Sequence, residues 1–170
     1  FSGGLEFSSA HNINKFTGDG KKENQTLSSS DGSYTQLTQG YINYIHKGLN
    51  IRLGSQQIDT PLADSDHIRL IDNRFQAFMA TYELNDFVLT IGYLDKWQGT
   101  DTGLNNSWQN TGDNGVYFSG IFYSRGLIDY NIWYYDISKD TLAESATGNV
   151  ANKSIYADLT LHTKLSDNLM

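Results

Sequence analysis

Between positions 59 and 72 the chain sets Asp59, Asp64, Asp66 and Asp72 beside His67 and Arg69. Carboxylates grouped with cationic side chains support three readings. They can bind a hard cation such as Ca²⁺, which takes carboxylate and carbonyl oxygens. They can lie solvated in a loop. They can also set a field across a narrow, water-filled passage and sort ions without covalent chemistry. The spacing matches no EF-hand pattern. The expectation carried forward is a pore constriction made of Asp59, Asp64, Asp66, His67, Arg69 and Asp72, with no bound metal.

Other chemistries find less support. The histidines His11, His46, His67 and His162 form no close pair with ligand spacing. No Gly-x-Ser-x-Gly elbow occurs, and nothing draws a Ser, a His and an acid together. Asp129, Asp136 and Asp158 could supply a carboxylate pair for glycoside cleavage, but no context marks them out. Cysteine is absent, which excludes disulfides, thiolate metal sites and Cys nucleophiles. We therefore expect no enzyme, no catalytic residue and no cofactor. The formal net charge of −7 also argues against a nucleic-acid partner, which needs clustered Lys and Arg.

The elements that must position these residues are extended. Alternation of apolar and polar side chains is the main pattern. Ile155, Ala157, Leu159 and Leu161 alternate with Tyr156, Asp158, Thr160 and His162. Ile128, Tyr130, Ile132 and Tyr134 alternate with Asp129, Asn131, Trp133 and Tyr135. Residues 49–58 and 87–94 read the same way, and further strands are expected at 35–47, 74–84 and 115–124, with a partial one near 2–9. Tight turns are expected near 47–48, 85–86, 125–126 and 166–167. Long polar loops are expected near 10–33, 59–73, 97–114 and 139–152. Across a two-residue hairpin the flanking residues share a face, and each of the first three turns then yields one apolar face and one mixed polar face.

One end of this ribbon has only short turns and the other only long loops, as in outer-membrane barrels. Phe87 and Trp97, ten residues apart with the same parity, are expected to mark the two aromatic girdles. Asp95 shares that parity and requires either a bulge or emergence from lipid there. Lipid offers no hydrogen-bond partner, so a sheet that spans it must close. The polar face is then a lumen lined by Asn50, Arg52, Gln56, Asp129, Asn131 and Asp158, with Tyr41, Phe118, Phe122, Trp133, Tyr135 and Tyr156 also inward. Arg52 is the leading lumenal base. Arg74 falls on the outward parity, while Lys153 and Lys164 are further lumenal candidates. No run reaches the ~18 apolar residues of a spanning helix, and no leader is visible before Phe1. A fragment is expected.

The segment 53–75, LGSQQIDTPLADSDHIRLIDNRF, resembles the outer-membrane porins of the OprD type. The residues that carry the likeness are Gly54, Gln56, Gln57, Thr60, Pro61, Asp66, Arg69, Asn73 and Phe75. FVLTIGYLDKW at 87–97 resembles that family's next strand, and GVYFSGIFYSRGLIDYNIWYYDIS at 115–138 the hairpin after it. The resemblance implies an all-β, antiparallel transmembrane β-barrel of eighteen strands, of which this chain is an arc of about eight. It implies a bacterial outer-membrane location, contact with outer-membrane lipid, a homotrimer or a monomer, and passive diffusion of small hydrophilic solutes. It also implies that loop 59–73 folds inward. A soluble carbohydrate-binding β-sandwich and a small structural outer-membrane barrel are the alternatives.

Overall fold

Alternating sequences rich in Tyr, Ile and Leu suit a pleated surface that is apolar on one side. The chain forms such a surface. The computed structural model describes residues 1–10, 34–65, 72–99, 108–112, 114–137 and 153–163. Within them lie strands β1 (Ser2–Ala10), β2 (Tyr34–His46), β3 (Leu49–Gln56), β4 (Asp59–Thr60), β5 (Ala63–Asp64) and β6 (Arg74–Leu84). They continue with β7 (Phe87–Gln98), β8 (Gln109–Asn110), β9 (Val116–Arg125), β10 (Ile128–Ile137) and β11 (Lys153–Leu161). The long strands form one antiparallel sheet in the order β1-β2-β3-β6-β7-β9-β10-β11, with short β8 beside β7. Strands β4 and β5 make a separate two-stranded hairpin. Among the described residues no helix is long and apolar enough to cross a membrane, which says nothing of crossing by strands.

The tight turns set the register. His46 pairs with Leu49 across Lys47-Gly48, and Leu84 with Phe87 across Asn85-Asp86. Lys47, Gly48 and Asn85 all have positive φ, as such turns require. The third turn differs from the sequence expectation. Arg125 pairs with Ile128, so the loop is Gly126-Leu127, with Gly126 at φ 67°. The pairing moves by two residues, which leaves each side chain on its expected face. The turn expected near 166–167 and the loops expected at 10–33 and 139–152 fall almost wholly outside the described residues.

Register links residues across the sheet into rows. One outer-face row runs Leu49, Tyr82, Leu89, Ile121, Ile132, Ala157. The next runs Tyr44, Ile51, Ala80, Ile91, Ser119, Tyr134, Ile155. On the inner face, Asn50, Thr81, Thr90, Gly120, Trp133 and Tyr156 share a row, and Asn43, Arg52, Met79, Gly92, Phe118 and Tyr135 share another. The outer face is apolar and uncovered among the described residues: Leu53 is 51% exposed, Ile91 57%, Ile132 47% and Leu159 64%.

Aromatic rings border this face. Near the tight turns Phe87 and Tyr123 lie 4.8 Å apart, as do Tyr123 and Tyr130. Towards the other end Tyr93 and Tyr117 lie 4.9 Å apart. Trp97 is not part of this border, contrary to the sequence expectation. In β7 Leu94 pairs with Ala77 and Lys96 with Gln76, so Asp95 is an extra, bulged residue. The bulge reverses parity, and Trp97 packs with the buried cluster on the inner face.

Candidate functional site: an inward hairpin seated on an aromatic wall

The inner face carries three rings that lie flat along it. Phe118 and Trp133 have centroids 6.2 Å apart at 32°, Trp133 and Tyr135 6.1 Å apart at 20°, and Phe118 and Tyr135 6.1 Å apart at 25°. Two glycines allow this. A Cβ at Gly92 would strike the Phe118 ring, and one at Gly120 would lie 2.5 Å from Trp133. Phe118 and Trp133 each rest on the neighbouring strand where a side chain is missing. The Trp133 indole N–H donates to Asn131 Oδ1 at 2.5 Å, and the Asn131 amide donates to Asp158 Oδ2 at 3.3 Å.

The segment that follows β3 covers this wall. After Gln56 the chain forms the β4–β5 hairpin, in which Asp59 pairs with Asp64 and Thr60 with Ala63. The two pairs face opposite ways. Thr60 and Ala63 are buried, whereas Asp59 and Asp64 are exposed. Ile58 is 1% exposed and Ala63 7%, and both join the cluster formed by Phe75, Ala77, Leu94, Val116, Phe118, Trp133 and Tyr135. Full burial of a side chain such as Ile58 stabilises the seat by roughly 1.5–3 kcal/mol. The hairpin is also tied by hydrogen bonds. The Ser65 hydroxyl donates to the Ile58 carbonyl at 3.0 Å, the Asn73 N–H donates to the Ser65 carbonyl at 2.7 Å, and the Leu62 N–H donates to the Tyr135 hydroxyl at 3.4 Å.

Of the residues expected at a constriction, Asp59 and Asp64 stand side by side on the hairpin. Asp72 accepts from the Gln57 side-chain amide at 2.7 Å, where the chain returns to β6. Asp66, His67 and Arg69 lie outside the described residues.

The residues expected to line a lumen take inner-face register positions. The Arg52 guanidinium sits 4.4 Å from the Tyr41 ring centroid, a cation–π contact. Gln56 is fully buried, its amide donating to the Ala77 carbonyl at 3.0 Å. Asn50 lies in the row with Thr81 and Trp133. Asp129 meets His162 Nε2 at 2.6 Å near the tight-turn end. Lys153 is a correction: it falls in register with Asp136 on the outer face, 4.0 Å from its carboxylate, and not in the lumen. Lys164 lies outside the described residues. Arg74, on the outward parity, is 1% exposed. Its Nε and Nη2 donate to Gln98 Oε1 at 3.2 and 2.8 Å, with the Trp108 ring 5.9 Å away.

Sequence reasoning named the inward aromatics but missed the apolar patch beside them. Phe75, Leu94 and Val116 are buried there, beneath the hairpin. Their signal was present as apolar residues on the polar parity at the long-loop end of each strand.

No family model matches the chain, and no curated protein matches its sequence. Solved structures do. Pseudomonas aeruginosa OpdK, solved with vanillate, superposes with a TM-score of 0.67 at 18% identity, over 88% of this chain and 40% of that one. OccK1 (OpdK) from the same organism gives 0.63 at 17% identity, over 83% and 37%. OccK8 (OprE), also from that organism, gives 0.52 at 20% identity, over 65% and 31%. The fold is therefore that of an antiparallel β-barrel wall, as in these structures. The chain spans less than half the length of each of these solved chains.

Proposed function

We propose that this chain forms part of the wall of a bacterial outer-membrane porin, a water-filled channel through which small hydrophilic solutes diffuse passively. One observation carries the reading: the outer-face rows through Leu53, Ile91, Ile132 and Leu159 are apolar and roughly half exposed or more. An apolar face this broad is out of place on a soluble monomer. It matches the outward band of a membrane barrel, with tyrosines at its borders. A sandwich would bury these residues under a second sheet. Outer-membrane lipid is the partner of this face, and solute the partner of the other.

In this reading the β4–β5 hairpin narrows the passage. Asp59, Asp64 and Asp72 give the narrowing its charge, together with Asp66, His67 and Arg69 of the same loop. Arg52, Asn50, Gln56, Asp129, Asn131 and Asp158 line the path along the wall. Selection then acts through field and width, and no group need form or break a bond. The likeness to OpdK, solved with vanillate, supports trying solutes of that size first.

The test is reconstitution of the full-length protein carrying this chain into planar bilayers. Discrete conductance steps are expected. A wild-type protein that is monodisperse in buffer without detergent and leaves bilayers silent overturns the proposal.

A further inference from the structure

Between the β4–β5 hairpin and the wall lies a cavity of about 310 Å³. Ligand pockets begin near ~300 Å³, so this one suits a single ring with a short substituent. The rings of Phe75, Trp97 and Tyr135 and the side chains of Leu94 and Val116 line it on the wall side. All but Trp97 are buried in one packed cluster, and Trp97 packs against it. Leu62 and Ala63 of the hairpin close the other side.

The lining offers an ion nothing. Asp64 borders the cavity, but its carboxylate, like that of its ladder partner Asp59, lies on the hairpin face turned away from the wall. Both carboxylates have interactions of their own. The hydroxyls are engaged as well. Thr111 is committed to the carbonyls of Leu94 and Asp95, at 2.8 and 2.9 Å, and Tyr135 accepts the Leu62 N–H at 3.4 Å. Two residues of the lining keep a neutral polar group in hand. The Asn73 carboxamide and the Trp97 indole N–H make no hydrogen bond among the described residues. An ionised ligand would give up its water here and gain no counter-charge. A ring bearing a neutral hydroxyl or carbonyl meets apolar walls and a hydrogen-bonding partner.

We propose that this cavity is a binding site for a small uncharged molecule, one aromatic ring carrying a hydroxyl or carbonyl. The ring lies against Phe75 and Trp97, and its substituent bonds to the Asn73 carboxamide. Ring cations and ring carboxylates of equal size fill the same walls but leave a charge without water or partner. The proposal rests on the channel reading in that the lumen is the route by which the molecule arrives.

The probes are benzyl alcohol, toluene, benzoate and benzylamine, titrated into the isotope-labelled full-length protein folded in detergent. The readout is the NMR signal of the Trp97 indole N–H, assigned by its loss in Trp97→Phe, which separates binding at the cavity from uptake into micelles. Benzyl alcohol is expected to shift that signal saturably, with an affinity about tenfold higher than that of benzoate or benzylamine, because neither ion is compensated there. Asn73→Ala should weaken benzyl alcohol about threefold, as for the loss of one neutral hydrogen bond, and leave toluene unchanged. Val116→Trp, which fills the cavity, should abolish the shifts, and heat-modifiable gel mobility reports that each variant is folded. No saturable shift with benzyl alcohol overturns the proposal. So does either ion binding as tightly as the alcohol, or unchanged binding in folded Val116→Trp. Conductance measured on the same wild-type preparation separates the two readings. A silent bilayer strikes the channel, whereas the wild-type affinity ratio decides the cavity even where a variant does not fold.

Discussion

The backbone N–H of Leu62 donates to the hydroxyl of Tyr135 at 3.4 Å, joining the turn of the β4–β5 hairpin to a strand 73 residues further along the chain. The same Tyr135 ring, 2% exposed, is part of the surface on which the hairpin sits. One side chain thus supplies both the apolar seat and the polar tie.

Those two roles can be separated. Tyr135→Phe removes the tie and keeps the ring, at a cost of about 0.5–1.5 kcal/mol. Tyr135→Ala also removes the seat, at roughly 3–5 kcal/mol for a buried ring. Single-channel recordings should show Tyr135→Phe close to wild type. Tyr135→Ala should give larger and noisier conductance, because the hairpin is no longer held to the wall.

The two faces should respond oppositely to charge. Ile91→Arg places a cation in the apolar band, where it costs about 2–4 kcal/mol near the midplane. Thr81→Arg lies on the inner face, in the row with Asn50 and Thr90. Urea titration of folding into lipid vesicles should show a clear loss for Ile91→Arg and little change for Thr81→Arg.

Much of this two-sidedness was legible in the residues themselves. Alternation has a period of two, and a tight turn passes it from strand to strand without loss. Ile128, Tyr130 and Ile132 therefore keep their face although the Gly126-Leu127 turn sits one residue later than expected. Trp97 was misplaced for the complementary reason. The bulge at Asp95 changes parity once, and everything beyond it in β7 changes sides. An aspartate among outward residues pointed to a bulge or to emergence from lipid, and could not show which of the two moves Trp97. The site was less legible still. Asp59 and Asp64 were visible as a charge cluster, yet their pairing depends on a ladder of only two residue pairs, too short to leave a periodic signature. Ile58 and Ala63 gain their role from strands far off in sequence, which local pattern does not encode.

Neutralising the hairpin carboxylates tests the field they set. Asp59→Asn with Asp64→Asn should lower the cation-to-anion permeability ratio, read from the reversal potential in a salt gradient. The single variants should each produce part of the change. Raising ionic strength should shrink the wild-type effect, since screening lengths fall to about 3 Å at 1 M.

The glycines beneath the rings offer a steric test. Gly120→Ala sets a methyl group 2.5 Å from the Trp133 ring, and the ring must swing off the wall to make room. Conductance should fall while the outer face, and with it insertion into lipid, stays unchanged. Gly92→Ala should act in the same direction through Phe118. Both are checked by comparing single-channel amplitude with the yield of heat-modifiable protein.

That glycine–ring pairing also bears on how such a wall can diverge. In the proposed channel, calibre would follow from whether an aromatic lies down or stands up, which one hydrogen or one methyl on the adjacent strand decides. The apolar outer face takes no part in that choice. Descendants of the same scaffold can therefore be re-bored from within, one small residue at a time, while the shell that anchors them is left as it was.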